Sequence, residues 1–248
     1  MENAAPPVHR YERVLPIFSK LPLHARIIID VFAINREREL ETFQLEAALF
    51  EDMATLWNAL LDAESFVNER HVVGIKRRNA LMRAVARAVF SLLEGMLNCI
   101  ALDILIGRSS SLSQDDRDKL EERDSRREKS RLLSLRDKLL QYPRIALGNP
   151  HPPLQESNCP EMAFLLGKEE TIRHALIHPT PLVRDQENLF TRESAYLMLS
   201  TKDVGELCDS VISLIEKLLR TVGPDFGDAE LWIHRRGENG RFPPECFT

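Results

Sequence analysis

Residues 72 to 105, VVGIKRRNALMRAVARAVFSLLEGMLNCIALDIL, are the stretch that decides the fold of this chain. Apolar residues recur in it every three or four positions, which is the spacing of one face of an α-helix. That face holds Leu81, Val85, Val89, Leu93, Leu97, Ile100 and Ile104, and Leu92 and Met96 widen it. So broad an apolar face is typical of a helix in the middle of a bundle, and it predicts a long central helix.

Helical patterns continue on both sides of this segment. The predicted helices span residues 23 to 38, 40 to 69, 72 to 105, 114 to 141, 161 to 177 and 202 to 222. Only the connection at 194 to 200 has some β character. Aromatic residues make up 6% of the chain, glycine is scarce, and Leu, Ala, Glu and Arg are abundant. Because this composition favours helices over sheets, we expect an all-α fold.

The patterns divide the chain into an N-terminal helical extension (1 to 71), a helical bundle (72 to 222) and an irregular C-terminal tail (223 to 248). Within the bundle, residues 114 to 131 hold seven acidic and seven basic residues, which predicts a charged projecting helix or a partly disordered insertion. Residues 143 to 160 hold five prolines, which predicts a long Pro-rich loop in place of a regular helix.

Net charge and cysteine spacing exclude several classes of protein. A formal net charge of -5 argues against nonspecific coating of nucleic acid, although it leaves room for a small basic site. The four cysteines show no CxxC or CxxH spacing, so we expect neither a disulfide framework nor a zinc knuckle, and Cys99 should be a buried thiol. The early apolar run Ile27-Ile28-Ile29 stops at Asp30. We therefore expect a cytoplasmic protein with no membrane segment.

The most distinctive chemistry lies in RHALIHP, residues 173 to 179. Arg173 and His178 would be about 140° apart on a regular helix. Because a residue before proline is pushed out of the helical region, His178 is expected where the helix breaks, and its ring can then turn toward Arg173. An imidazole can transfer protons near neutral pH, and a guanidinium matches phosphate oxygens. RNA supplies its own nucleophile, the 2′-hydroxyl, so this pair predicts RNA cleavage without a metal.

These residues resemble the motif of the HEPN domain family, in which an arginine is followed after four to six residues by a histidine. A polar residue often comes directly after that arginine, and His174 occupies this position here. The stretch FSLLEGMLN, residues 90 to 98, is similar to the pattern of the family's first core helix. The resemblance covers about residues 72 to 222 and implies a four-helix bundle, to which this chain adds N-terminal helices.

The resemblance also implies a homodimer in which two motifs form one metal-independent endoribonuclease site, without a cofactor, that leaves a 2′,3′-cyclic phosphate on its RNA substrate. It assigns phosphate binding to Arg173, acid-base work to His178 and support to His174, with Glu94 orienting one of them. A toxin or antiviral defence effector, controlled by an inhibitory or activating protein partner, is the expected setting. Related toxins often carry tyrosine two residues after the histidine, where this chain has Thr180.

Other interpretations of the same residues stay open. His174 and His178 are four residues apart, which also suits two metal ligands, and Glu94, Glu169 or Glu170 would add a carboxylate. This arrangement would make a metal-dependent hydrolase. A catalytically inactive HEPN domain that binds a protein or a nucleotide is the main alternative.

A basic stripe on the central helix also has two interpretations. It contains Lys76, Arg83 and Arg87, and Arg77 and Arg78 lie nearby. They either guide RNA toward the site or form a solvated rim whose apolar stems pack on the core. Similarly, Trp57 and Trp232 either stack on bases or, more commonly for single aromatics, pack in the core.

Overall fold

The computed structural model describes residues 45–65, 72–108, 110–125, 129–173, 176 and 199–223. Of the part that it describes, 79% is helical, which confirms the all-α class. The helices there are α1 (Leu45–Ser65), α2 (Val72–Arg108), α3 (Gln114–Leu120), α4 (Leu135–Leu147), α5 (Pro160–Lys168) and α6 (Thr201–Val222). The predicted helix at 23 to 38, the C-terminal tail and most of the connection at 194 to 200 lie outside these residues.

The chain divides into two compact units. Of the described residues, the larger contains those from 45 to 100 and from 133 to 223, and the smaller contains those from 101 to 132. In the larger unit the predicted central helix is confirmed, because α2 buries Val85, Val89, Leu93 and Leu97 completely. These residues are spaced by one helical turn, so the apolar stripe read from the sequence is the face that packs.

Helix α1 packs directly against α2. A Cβ atom on Gly95 would collide with Cδ1 of Leu49, so a larger residue at this contact would require the Leu49 side chain to shift. Near this contact, the thiol of Cys99 donates a hydrogen bond of 3.2 Å to Oε2 of Glu46. Cys99 is buried and forms no disulfide, as the sequence predicts.

Helix α6 has the bounds that the sequence predicts to within one residue. It begins with a capping box, in which the Ser200 hydroxyl accepts from the Asp203 amide and the Asp203 carboxylate accepts from the Ser200 amide. Helix α6 is also joined to α5, because Nζ of Lys217 donates to Oε2 of Glu161 over 2.6 Å. This hydrogen bond lowers the pKa of Glu161 and raises the pKa of Lys217.

The predicted charged helix over residues 114 to 131 is wrong. Helix α3 ends at Leu120, its only buried residue, and two short antiparallel strands follow, β1 (Arg123–Asp124) and β2 (Lys129–Ser130). With a single apolar anchor the helix gains little from continuing. Local polar contacts favour the turn instead, since the Asp118 carboxylate accepts hydrogen bonds from both the amide and the hydroxyl of Ser125.

The predicted Pro-rich loop begins later than Pro143. Helix α4 continues through Pro143 to Leu147 and ends at Gly148, whose φ of 66° is the left-handed conformation that glycine adopts readily. A proline inside a helix costs about 3 kcal/mol. Burial of Tyr142, Pro143 and Ile145 on the packed face offsets that cost.

Helix α2 has a further property that depends only on length and composition. Among the described residues it is the one helix long and apolar enough to cross a membrane, and 61% of its most apolar window is buried inside the protein. A buried core helix passes the same test.

Candidate functional site

The predicted motif begins in a turn of unusual backbone geometry. Helix α5 ends at Lys168, and the chain continues as a π-helical turn over Glu169–Arg173. Apolar contacts hold both ends of this turn, because Leu165 before it and Ile172 within it are buried. π-helical turns are rare and occur frequently at functional sites, so the backbone singles out the same place as the sequence motif.

Arg173 lies between two carboxylates that come from different elements. Its Nη1 donates to Oε1 of Glu169 over 2.5 Å, and its Nη2 donates to Oε1 of Glu94 on α2. The exposed fractions of the three side chains are 20% for Arg173, 13% for Glu169 and 32% for Glu94. Partial burial strengthens these ion pairs relative to surface pairs. The guanidinium is therefore fixed against the central helix.

These two contacts leave some N–H donors of the guanidinium without a partner among the residues that the structure describes. Its Nε is buried and has no hydrogen-bond partner among the residues that the structure describes. Each Nη also carries a second hydrogen, so Arg173 retains donors for a planar anion such as phosphate. The two neighbouring carboxylates oppose an anion, however. A phosphate would bind here only if another cation contributed or a carboxylate moved away.

A second contact joins the motif to α2. Nη2 of Arg87 donates to the backbone carbonyl of Leu176 over 3.0 Å. Leu176 is buried, and it lies three residues after Arg173 in the sequence. Two side chains of α2 therefore hold the motif. Glu94 binds the side chain of Arg173, and Arg87 binds the backbone carbonyl of Leu176.

The structure brings together part of the predicted site. Glu94 contacts Arg173, and its role in orienting the site stays a prediction. His174 and His178 lie outside the described residues. Within those residues, no group of three or more His, Cys, Asp and Glu side chains is arranged to hold a metal ion.

The chain matches no protein-family model, no curated protein and no solved structure.

The residues of the basic stripe have different surroundings. Lys76 and Arg77 are exposed near the start of α2, and Arg83 is half-buried. Arg87 is exposed as a whole, although one of its nitrogens is bonded to Leu176. Trp57 is fully buried in the core, which supports packing and leaves no ring face for a base.

Glu169 is the member of the site that sequence reasoning missed as a partner of arginine. The sequence analysis considers it only as a carboxylate for a metal. Its position four residues before Arg173 was the available signal, because acidic and basic residues at that spacing are neighbours on a helix surface.

Proposed function

We propose that the chain is a metal-independent endoribonuclease of the HEPN type that acts as a homodimer. The observation that carries this proposal is the ion pair between Arg173 and Glu94, which ties the motif to the central helix. A catalytic arginine must be held in one orientation before substrate arrives, and paired carboxylates provide that orientation. The type of reaction is inferred from the resemblance of the motif to that of the HEPN family.

In the proposed reaction, the 2′-oxygen of the RNA bonds to the adjacent phosphorus while the bond from phosphorus to the 5′-oxygen breaks. His178 takes the proton of the 2′-hydroxyl and a proton is returned to the departing 5′-oxygen, so no water is consumed. The products are a 2′,3′-cyclic phosphate and a 5′-hydroxyl. Arg173 stabilises the negative charge on the phosphorane oxygens, and His174 supports this arrangement.

The remaining donors of Arg173 suit this role. Nε–H and one hydrogen on an Nη form the edge of the guanidinium that binds a phosphate through two parallel hydrogen bonds. The Nε of this residue is buried and has no partner within the described part of the chain. An unpaired buried donor costs about 1 to 3 kcal/mol, and a phosphate oxygen would satisfy it once the groups that cover Nε move aside.

A catalytically inactive binding domain is the second candidate, and one observation favours it. Arg173 already pairs with two carboxylates, which is the arrangement of a structural ion-pair network. In that case the motif would stabilise the bundle, and the chain would bind a protein or a nucleotide. A role as a toxin or defence effector, controlled by a protein partner, is proposed only for the enzyme and not for the binding domain.

The test is cleavage of mixed-sequence single-stranded RNA, and of matched DNA, by purified protein with and without a chelator. The variants are Arg173→Ala and His178→Ala. Arg136→Ala is the matched arginine control, since Arg136 forms an ion pair with Glu156 on a more exposed surface. His151→Ala is the histidine control, because His151 is exposed in the loop after α4.

The proposal expects cleavage of RNA but not DNA, with loss of at least about a hundredfold in both motif variants and none in the controls. Product ends should be 2′,3′-cyclic phosphates. Equal rates in the wild type and the motif variants would reject the enzyme and leave the binding domain. Activity abolished by the chelator would instead indicate a metal-dependent hydrolase.

A further inference from the structure

Arg87 contacts the motif at a backbone atom of Leu176. Its Nη2 lies 3.0 Å from the carbonyl oxygen of Leu176, across 89 residues of sequence. In a continuing helix this carbonyl would accept from the amide of residue 180. Pro179, which lacks an amide hydrogen and disfavours helical geometry in the residue before it, predicts that the helix stops before that point.

Carbonyls at the end of a helix need other donors, and a cation is the favoured one. The last four carbonyls of a helix have no partner within it, and they carry the negative end of the helix dipole. Arginine side chains at such ends form hydrogen bonds to these carbonyls. Arg87 supplies a donor to the Leu176 carbonyl from α2, so its contact has a physical cause independent of RNA.

Arg87 and Glu94 lie on the same face of α2. The two residues are seven positions apart, which is about two turns, so they lie on the same face about 10 Å apart along the helix axis. They bind residues that are three positions apart in the motif, in the reverse order: Glu94 binds Arg173 and Arg87 binds Leu176. The motif segment therefore runs antiparallel to α2 and is held at two points on one face.

We propose that Arg87 is a positioning residue, which fixes the motif backbone at Leu176 and thereby holds the motif in place beside Arg173. This inference rests on the proposed ribonuclease function for its kinetic consequences. It assigns Arg87 a role different from guiding RNA along the basic stripe. A residue that positions the catalytic group changes the turnover number, whereas a phosphate contact changes the Michaelis constant and the salt dependence.

Three variants test the inference in the full-length chain. Arg87→Met keeps the length of the side chain and removes its donors and charge, whereas Arg87→Lys keeps the charge and one donor group. Arg220→Met is the matched control, because Arg220 is an exposed arginine of α6. Each variant is compared with the wild type in RNA cleavage at several salt concentrations, and in amide hydrogen exchange without RNA.

Arg87→Met is expected to lower kcat by about tenfold or more, because small displacements of catalytic groups have effects of up to a hundredfold. KM should stay within about twofold, the slope against salt should not change, and Arg87→Lys should recover part of the loss. Exchange should rise in the peptide that covers residues 173 to 178 and stay constant in α6. Arg220→Met should match the wild type throughout.

Unchanged kcat with a raised KM and a shallower salt slope would overturn the inference and make Arg87 an RNA contact. Unchanged exchange in residues 173 to 178 would overturn it as well. If the wild type cleaves no RNA, the proposed function is wrong. The exchange measurement then decides by itself whether Arg87 holds the motif backbone at Leu176.

Discussion

The ion pair between Glu94 and Arg173 should have a measurable coupling free energy. We expect a double-mutant cycle of Glu94→Gln and Arg173→Met to give a coupling of about 1 to 2 kcal/mol in the free energy of unfolding. Arg173→Met alone should cost more, about 2 to 3 kcal/mol, because it also removes the partner of Glu169 and leaves two carboxylates facing each other.

The magnitude follows from the exposure of the two side chains. An exposed ion pair contributes about 0 to 1 kcal/mol, and a hydrogen bond to a charged group in the interior contributes about 1.5 to 3 kcal/mol. Arg173 is 20% exposed and Glu94 is 32% exposed, so the pair lies between these limits. The exposed pair of Lys202 and Glu206 on α6, 3.8 Å apart, should give a coupling of only about 0.3 to 0.5 kcal/mol.

Urea unfolding, followed by tryptophan fluorescence at fixed protein concentration, is the assay. Trp57 is fully buried and will report loss of the core. A coupling for Glu94 and Arg173 no larger than that for Lys202 and Glu206 would refute the reasoning. The motif arginine would then be loosely held, and the main support for the proposed function would be lost.

Three other outcomes are expected. Ser200→Ala should lower the free energy of unfolding by about 1 kcal/mol in the same urea assay, because it removes the N-cap of α6. The stabilising effect of Lys217, measured as the difference between the wild type and Lys217→Met, should be largest between about pH 5 and 10. It should shrink in acid, as Glu161 is protonated below its ordinary pKa of 4.5, and in alkali, as Lys217 loses its proton above its ordinary pKa of 10.5. A difference that stays the same below pH 4.5 and above pH 10.5 as it is between them would contradict the pairing. Three buried thiols should resist iodoacetamide in the native protein and react after unfolding, as read by mass spectrometry of the peptides with Cys99, Cys159 and Cys208. Burial raises the pKa of both Cys159 and Cys208, which lowers their thiolate fraction further.

Long apolar stripes were the part of the fold that the sequence could predict. Helices α2 and α6 have nearly the predicted bounds because each buries many residues at one helical spacing, and no local alternative competes with that burial. The charged segment from residue 114 was mispredicted for the opposite reason. Without apolar residues its conformation depends on individual side-chain bonds, such as those from Ser125 to Asp118, which composition does not reveal.

In the candidate site as well, some contacts could be predicted from the sequence and others could not. The contact between Arg173 and Glu94 was accessible through the resemblance of two sequence patterns, since both residues lie in them. The contact of Arg87 with Leu176 was not, because a backbone carbonyl leaves no trace in the sequence. The π-helical turn was missed for a similar reason, since it differs from an α-helix only in which backbone groups are paired.

That π-helical turn has a consequence for how the motif can vary. A wider turn alters the angular relation between the residues before it and those after it, so the packing face of α5 does not determine the direction in which the motif faces. Deletion of one residue from the turn would rotate everything that follows by about 100° relative to α5. Insertions and deletions within these five residues would therefore rotate the motif relative to α5, and they would also displace the buried Ile172.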